Sequence, residues 1–264
     1  MTAAPKAPYA LVRRPAATLT DGIVTFIERQ PLDLGLADEQ WRAYVAALEA
    51  HGWPTVEVDP EDDLPDSVFV EDAVVMFGDL AVITNPAKPS RNPETAGAER
   101  AVRELGFEPV AITAGTLDGG DVLKVGTRVY AGITGTTTVG AIDQLRTILE
   151  PRGWQVVAVP VTRALHLKSA VTALPDGTVV GYGPVVDDPS VFERYLEMPE
   201  EPGAHVVVLD DHTVLMSSEA PRSAQILRDR GFDIVTVAIS EFEKLEGCVT
   251  CLSVRVRVDP HPSS

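Results

Sequence analysis

Cysteine is scarce in this chain. Two residues, Cys248 and Cys251, in 264 are too few to frame a domain of this size with disulfides. Positive charge is also short: 22 Lys and Arg stand against 39 Asp and Glu, a net charge of −17. Such a chain lacks the basic footprint that phosphates demand. This excludes nucleic acid and an anionic membrane surface as the main partner and suits a cationic small molecule. No apolar run approaches the roughly 18 residues that span a bilayer. The opening stretch MTAAPKAPYALVRRPAATLTDG has no apolar segment ending in a small-residue cleavage site. The reducing cytoplasm is therefore the expected location. No G-x-G-x-x-G follows any strand-like stretch and no Walker-type GK[ST] occurs, so nucleotide-binding folds lose their main support.

What the chain has in quantity is turns, with 20 Gly and 21 Pro, and an apolar content of 45% that can fill a core. The length suits one large domain or two small ones. Internal repetition organises it. Four segments start at Trp41, Ala96, Val139 and Pro221, each with apolar residues at helical spacing. Each continues into a Gly-aromatic pair: Gly52-Trp53, Gly106-Phe107, Gly153-Trp154 and Gly231-Phe232. Glycine in that place stops a helix, and the β-branched stretch after it predicts a strand. Hairpin turns then fall at Gly78-Asp79, Gly126-Thr127, Pro175-Asp176-Gly177 and Asp210-Asp211-His212. VFERYLEM, before the last of these, is expected to be a weaker helix. The repeat count is about five if the two ends complete one another. Hairpins between the helices favour a closed ring of small mixed sheets over a doubly wound sheet.

Equivalent positions of such a ring converge. Just past the strand the units offer Asp66, Glu71 and Asp72, then Asp118 and Asp121, then His166, then Cys251; the unit ending near Met216 offers none. A thiol, an imidazole and carboxylates are the parts of a nucleophilic cysteine enzyme acting on a cation. Glu71 and Asp72, read as strand neighbours, face opposite ways, so one must point inward and find a partner. A strand, not a helix, is expected after Cys248-x-x-Cys251, which argues against thioredoxin-like exchange. No further ligands lie near enough for zinc.

The stretches PDSVFVED (65–72), TLDGGDV (116–122), LHLKS (165–169) and KLEGCVTCLSV (244–254) resemble the signature segments of the dimethylarginine dimethylaminohydrolase family, in the family's order. The family belongs with arginine deiminase and the amidinotransferases to the guanidine-modifying superfamily, and the likeness runs from about Tyr9 to Arg257. It implies a five-bladed α/β propeller of the pentein type and a single catalytic domain over 1–264, with flexible tails at 1–8 and 259–264. It implies hydrolysis of a substituted guanidine, most simply dimethylarginine to citrulline and dimethylamine, through a covalent adduct on Cys251. His166 would be the acid and base, and Asp118 and Asp72 would hold the guanidinium. Asp66 and the Leu19 carbonyl, on a mobile flap, would hold the α-amino group, with Phe69 and Glu71 also at the substrate and Arg91 clamping the α-carboxylate. Cys248 would be a bystander, and no metal or organic cofactor is required. A homodimer is left open.

One departure stands out. Family members usually carry a second carboxylate-binding arginine where this chain has Thr136. Either another basic group replaces it, or the substrate lacks an α-carboxylate or presents it differently. Reaction at another guanidine, as in a deiminase, is the alternative.

Overall fold

The computed structural model describes residues 8–257. The tail expected at 259–264 and all but Pro8 of the tail at 1–8 lie outside the described residues. The chain forms five three-stranded sheets arranged as the blades of a pseudo-symmetric α/β propeller. In four of the five blades a hairpin supplies two antiparallel strands, and a third strand returns parallel to the second. Val74–Phe77 pairs antiparallel with Leu80–Ile83, which pairs parallel with Val110–Ala111. The next blade repeats the pattern with Val122–Val125, Arg128–Ile133 and Gln155–Pro160. A parallel return needs a crossover, and the helices Glu94–Glu104 and Val139–Leu149 provide it. The strand after each helix thus completes the hairpin before it, not the hairpin that follows.

The helices end as their sequence requires. Gly52, Gly106, Gly153 and Gly231 all have φ between 81° and 92°, a left-handed conformation that costs glycine little. The following aromatic then donates its N–H to a carbonyl five residues back: Trp53 to Leu48, Phe107 to Val102, Trp154 to Leu149, Phe232 to Leu227. This is the Schellman closure, with the aromatic as its apolar contact. At the other end, Asp33 caps Leu34–Ala50 by accepting the Leu36 N–H at 3.1 Å.

The first blade is built from both ends of the described chain. Val254–Val256 runs antiparallel to Tyr9–Val12, which pairs parallel with Thr55–Glu57 after the helix Leu34–Ala50. The expected joining of the ends is therefore present. The fourth blade departs from the repeat. VFERYLEM is not a helix: Tyr195–Glu197 is the third strand, preceded by two 3-10 turns, Gly183–Val185 and Pro189–Val191. Pro184 and Pro189 remove donors that a longer helix would use.

The core is divided into clusters between blades. Ile142, Leu145 and Leu149, all fully buried, pack between Val75, Phe77 and Val82 of one blade and Val129, Ala131 and Val156 of the next. Each helix is thus a wedge between neighbouring sheets, and removing one large wedge side chain costs about 2–5 kcal/mol.

Candidate active site

A tight turn precedes the first hairpin strand of each blade, and the ring brings these turns to one pole. They are the 3-10 turn Val70–Asp72, the 3-10 turn Gly119–Asp121 preceded by Asp118, the short helix Leu167–Ala170 preceded by His166, and the turn closed by Cys251 N–H to Cys248 O at 3.1 Å. The remaining blade has Glu201–Ala204 followed by His205. Sequence reading found no polar residue there. His205 faces the Ser169 carbonyl at 2.9 Å and does not line the cavity.

A cavity open to solvent lies at this pole. Its walls include Asp66, Phe69, Asp72, Arg91, Asp118, His166 and Cys251, seven of the nine residues expected at the site. Leu19 and Glu71 are not among them. Leu19 is fully buried in the core, and its carbonyl accepts the Gly22 N–H at 3.0 Å. Glu71 and Asp72 lie in a 3-10 turn, not a strand, so they diverge by about 120° and both are buried. Asp72 takes the cavity. Glu71 turns to an interior cluster, 2.6 Å from Lys168 Nζ and 3.2 Å from Arg255 Nη2.

Asp72 is fixed from several sides. Oδ1 accepts the Gly120 N–H at 2.9 Å, Oδ2 accepts from Arg91 Nη1 at 2.8 Å, and His166 Nε2 stands 3.9 Å from Oδ1. Burial pushes this carboxyl up, but His166 and Arg91 outweigh it and hold the group below the usual carboxylate range. The close approach needs glycine, since a Cβ on Gly120 would stand 2.8 Å from His166 Cδ2. Asp118 is in the opposite state. Its Oδ1 has no hydrogen-bond partner, and burial followed by the charge of Asp72 pushes it up to about 7.

Asp121, noted in the repeat but not among the expected site residues, organises the imidazole. Its carboxylate, fully buried, lies 3.4 Å from His166 Nδ1 and accepts the Leu167 N–H at 3.0 Å. Thr134, Thr136 and Thr137 all donate their hydroxyls to it, at 2.9, 3.1 and 2.5 Å. Burial opposes charge on His166, but Asp121 and Asp72 prevail and raise it to about 10. The imidazole is therefore a cation at neutral pH. The position of the missing arginine is thus not vacant, because Thr136 supports the carboxylate behind His166.

Cys251 lines the cavity beside these groups. Its Sγ lies 3.3 Å from Cys248 Sγ, and Cys248 also meets Thr250 Oγ1 at 3.2 Å. Contact with the Cys248 sulfur, burial and the carboxylates of Glu71 and Asp72 push the Cys251 thiol up. Below the loop, Tyr44 donates its hydroxyl to Val249 O at 2.8 Å and lies 2.7 Å from Ser253 Oγ.

Arg91 does not have the free fork expected of a clamp. Nε and Nη2 donate to Glu94 at 3.0 and 2.8 Å, Nη1 to Asp72, and Nη2 also to Asp66 O at 3.3 Å. Lys88, which sequence reading passed over, lines the cavity from an exposed position and makes no ion pair among the described residues. Its only signal was a basic residue three places from Arg91. The flap is also placed differently. Ile23 and Thr25 reach the cavity, and Glu246, at φ 61°, accepts from the Thr25 N–H at 2.8 Å, the Ile27 N–H at 3.0 Å and the Phe26 N–H. Asp66 Oδ1 accepts the Ile23 N–H at 3.0 Å. Among the described residues no group of three or more His, Cys, Asp or Glu is arranged to hold a metal ion.

The arrangement provides a thiol, a cationic imidazole and facing carboxylates in one pocket. No family model matches the chain. A dimethylarginine dimethylaminohydrolase of Streptomyces coelicolor is 59% identical over 94% of this chain and 96% of its own length. The crystal structure of the Pseudomonas aeruginosa enzyme of that name, complexed with citrulline, superposes with a TM-score of 0.88 at 30% identity, covering 95% of this chain and 100% of that one. A dimethylarginine dimethylaminohydrolase bearing an S-methyl-L-thiocitrulline adduct gives 0.87 at 30% identity, over 94% of this chain and 99% of the other. By the site it has built and by these likenesses, the chain belongs to the dimethylarginine dimethylaminohydrolase family.

Proposed function

We propose that this protein hydrolyses dimethylarginine to citrulline and dimethylamine through a covalent amidino-thioether on Cys251. The observation that carries the reading is the meeting of Cys251, His166, Asp72 and Asp118 around one cavity. A guanidinium is planar, cationic and a poor electrophile. Asp72, held ionised by Arg91 and His166, and Asp118 bind its N–H groups, fix its plane and keep it protonated. Entry of the cation offsets the carboxylates that keep the Cys251 thiol protonated, so the thiolate forms where it is needed. The sulfur attacks the guanidinium carbon. His166, cationic and oriented by Asp121, gives its proton to the departing dimethylamine nitrogen, then takes one from the water that cleaves the thioether. The ureido product leaves and the thiol is restored.

Asp66 takes the α-amino group at the floor of the flap, and Phe69 packs against the substrate. The α-carboxylate goes to Lys88, because Arg91 is engaged with Asp72 and Glu94. The two free thiols suit a reducing, cytoplasmic setting.

The test is a ureido-product assay on the purified protein with dimethylarginine, monomethylarginine, arginine and agmatine. Turnover confined to the methylated arginines is expected. Cys251→Ser abolishes it and Cys248→Ser retains it. Lys88→Ala raises KM for dimethylarginine by about two- to fivefold, the scale of one exposed charge contact to a ligand. Activity on agmatine alone would sink the substrate assignment.

A further inference from the structure

Cys248 has no part in the chemistry above, yet its sulfur lies 3.3 Å from that of Cys251, the nucleophile of the proposed reaction. Both thiols are free. The backbone between them is a tight turn closed by Cys251 N–H to Cys248 O at 3.1 Å, and such a turn keeps its end Cα atoms within about 7 Å. A disulfide accepts Cα separations up to roughly that value. The sulfurs need to close by only about 1 Å to reach bonding distance. One of the pair reaches solvent: Cys251 lines the open cavity, whereas Cys248 is buried behind it and lines none of that cavity.

We propose that Cys248 is a resolving thiol, and that peroxide converts the pair to a Cys248–Cys251 disulfide that reversibly silences the enzyme. The Cys251 thiolate attacks one peroxide oxygen. The O–O bond breaks, and the second oxygen leaves as hydroxide and is protonated to water. Cys251 is now a sulfenic acid. Cys248 Sγ attacks that sulfur, the S–O bond breaks, and the Cys248 proton accompanies the departing hydroxide as a second water. Two thiols lose two electrons and hydrogen peroxide gains them. A dithiol reverses the sequence by exchange. Without Cys248 the sulfenic acid is left to a second peroxide and goes on to the sulfinic acid, which dithiols do not reduce. A neighbouring sulfur therefore protects Cys251 from permanent loss. The contact between the two sulfurs lowers the Cys248 thiol, the group that attacks the sulfenic acid, while it raises Cys251.

Hydrogen peroxide on the purified full chain tests this, followed by dithiothreitol, with activity and intact mass read together. Wild type is expected to lose about 2 Da and at least tenfold in activity, then recover both to within about twofold. A digest without reductant is expected to contain the cross-link within the peptide that spans Cys248 and Cys251. Cys248→Ser is expected to gain about 32 Da and to stay inactive after dithiothreitol. Cys248→Ala gives the same result if the serine variant folds poorly. Inactivation of wild type with added oxygen and no loss of 2 Da overturns the proposal, as does full recovery of Cys248→Ser. The activity arm rests on the proposed role of Cys251. The mass arm does not, so a failed assay with a formed disulfide counts against the reaction and not against the thiol pair.

Discussion

Glu71 and Asp72 are adjacent, equally buried carboxylates, yet they belong to different parts of the molecule. Glu71 is enclosed by cations, Lys168 at 2.6 Å and Arg255 at 3.2 Å. Its charge is balanced inside the protein. Asp72 stands in a group with Asp66, Glu94, Asp118 and Asp121, against which the structure sets Arg91 and His166. Carboxylates outnumber cations there, and the imbalance opens on a cavity. A buried charge closed off by the protein's own cations serves the fold, whereas one left short of cations invites a ligand.

Substitution at the two positions separates these roles. Asp72→Asn is expected to lower kcat/KM for dimethylarginine by about 10³, the cost of losing a preorganised charge at the reacting group, with the melting temperature little changed. Glu71→Ala leaves Lys168 and Arg255 unpaired and is expected to cost about 3–5 kcal/mol of stability, read by denaturant unfolding. Equal losses of activity in two equally stable variants would erase the distinction. Asp118 sharpens it by pH. Its carboxyl titrates at about 7, so kcat/KM is expected to fall about tenfold per unit as pH drops below that value, and Asp118→Asn should lose this limb along with most of its activity. His166 acts on stability with the opposite sense. Its pKa rises from 6.5 to about 10 on folding, so its contribution is full below 6.5 and disappears as pH climbs through 10. Melting temperature should decline over that window, and less so in His166→Gln. The smallest effect belongs to Tyr44→Phe, which removes the hydroxyl beneath the nucleophile loop and should cost about 1–3 kcal/mol with a modest change in kcat.

Much of this organisation is legible in the chain. The Gly-aromatic pairs are local signals with a local cause, and all four close their helices as Schellman motifs. Asp66, Asp72, Asp118, His166 and Cys251, all of which line the cavity, follow from the repeat, because equivalent turns meet at one pole, whereas Phe69 and Arg91 came only with the family resemblance. Other features are not legible in the chain. Glu71 and Asp72 were read with a strand's alternation, whereas the chain makes a 3-10 turn there, a distinction that three residues of pattern do not hold. Arg91 was read as a clamp for the α-carboxylate, without sight of the partners it has in the fold. Its engagement by Glu94 is a helical-spacing contact, but that by Asp72 depends on a fold that brings residues 19 apart together. Asp121 was in view within GGD, but the three threonines around it come from a loop whose placement no spacing rule supplies.

The strand Val254–Val256 closes the ring against Tyr9–Val12, and Cys251 lies just before it. During synthesis the carboxylates and the imidazole of the cavity therefore leave the ribosome ahead of Cys251. A nascent chain with four blades complete holds the acidic cradle but no sulfur to react. The thiol belongs to the segment that joins the two ends, so a pocket complete with its sulfur requires closure of the first blade.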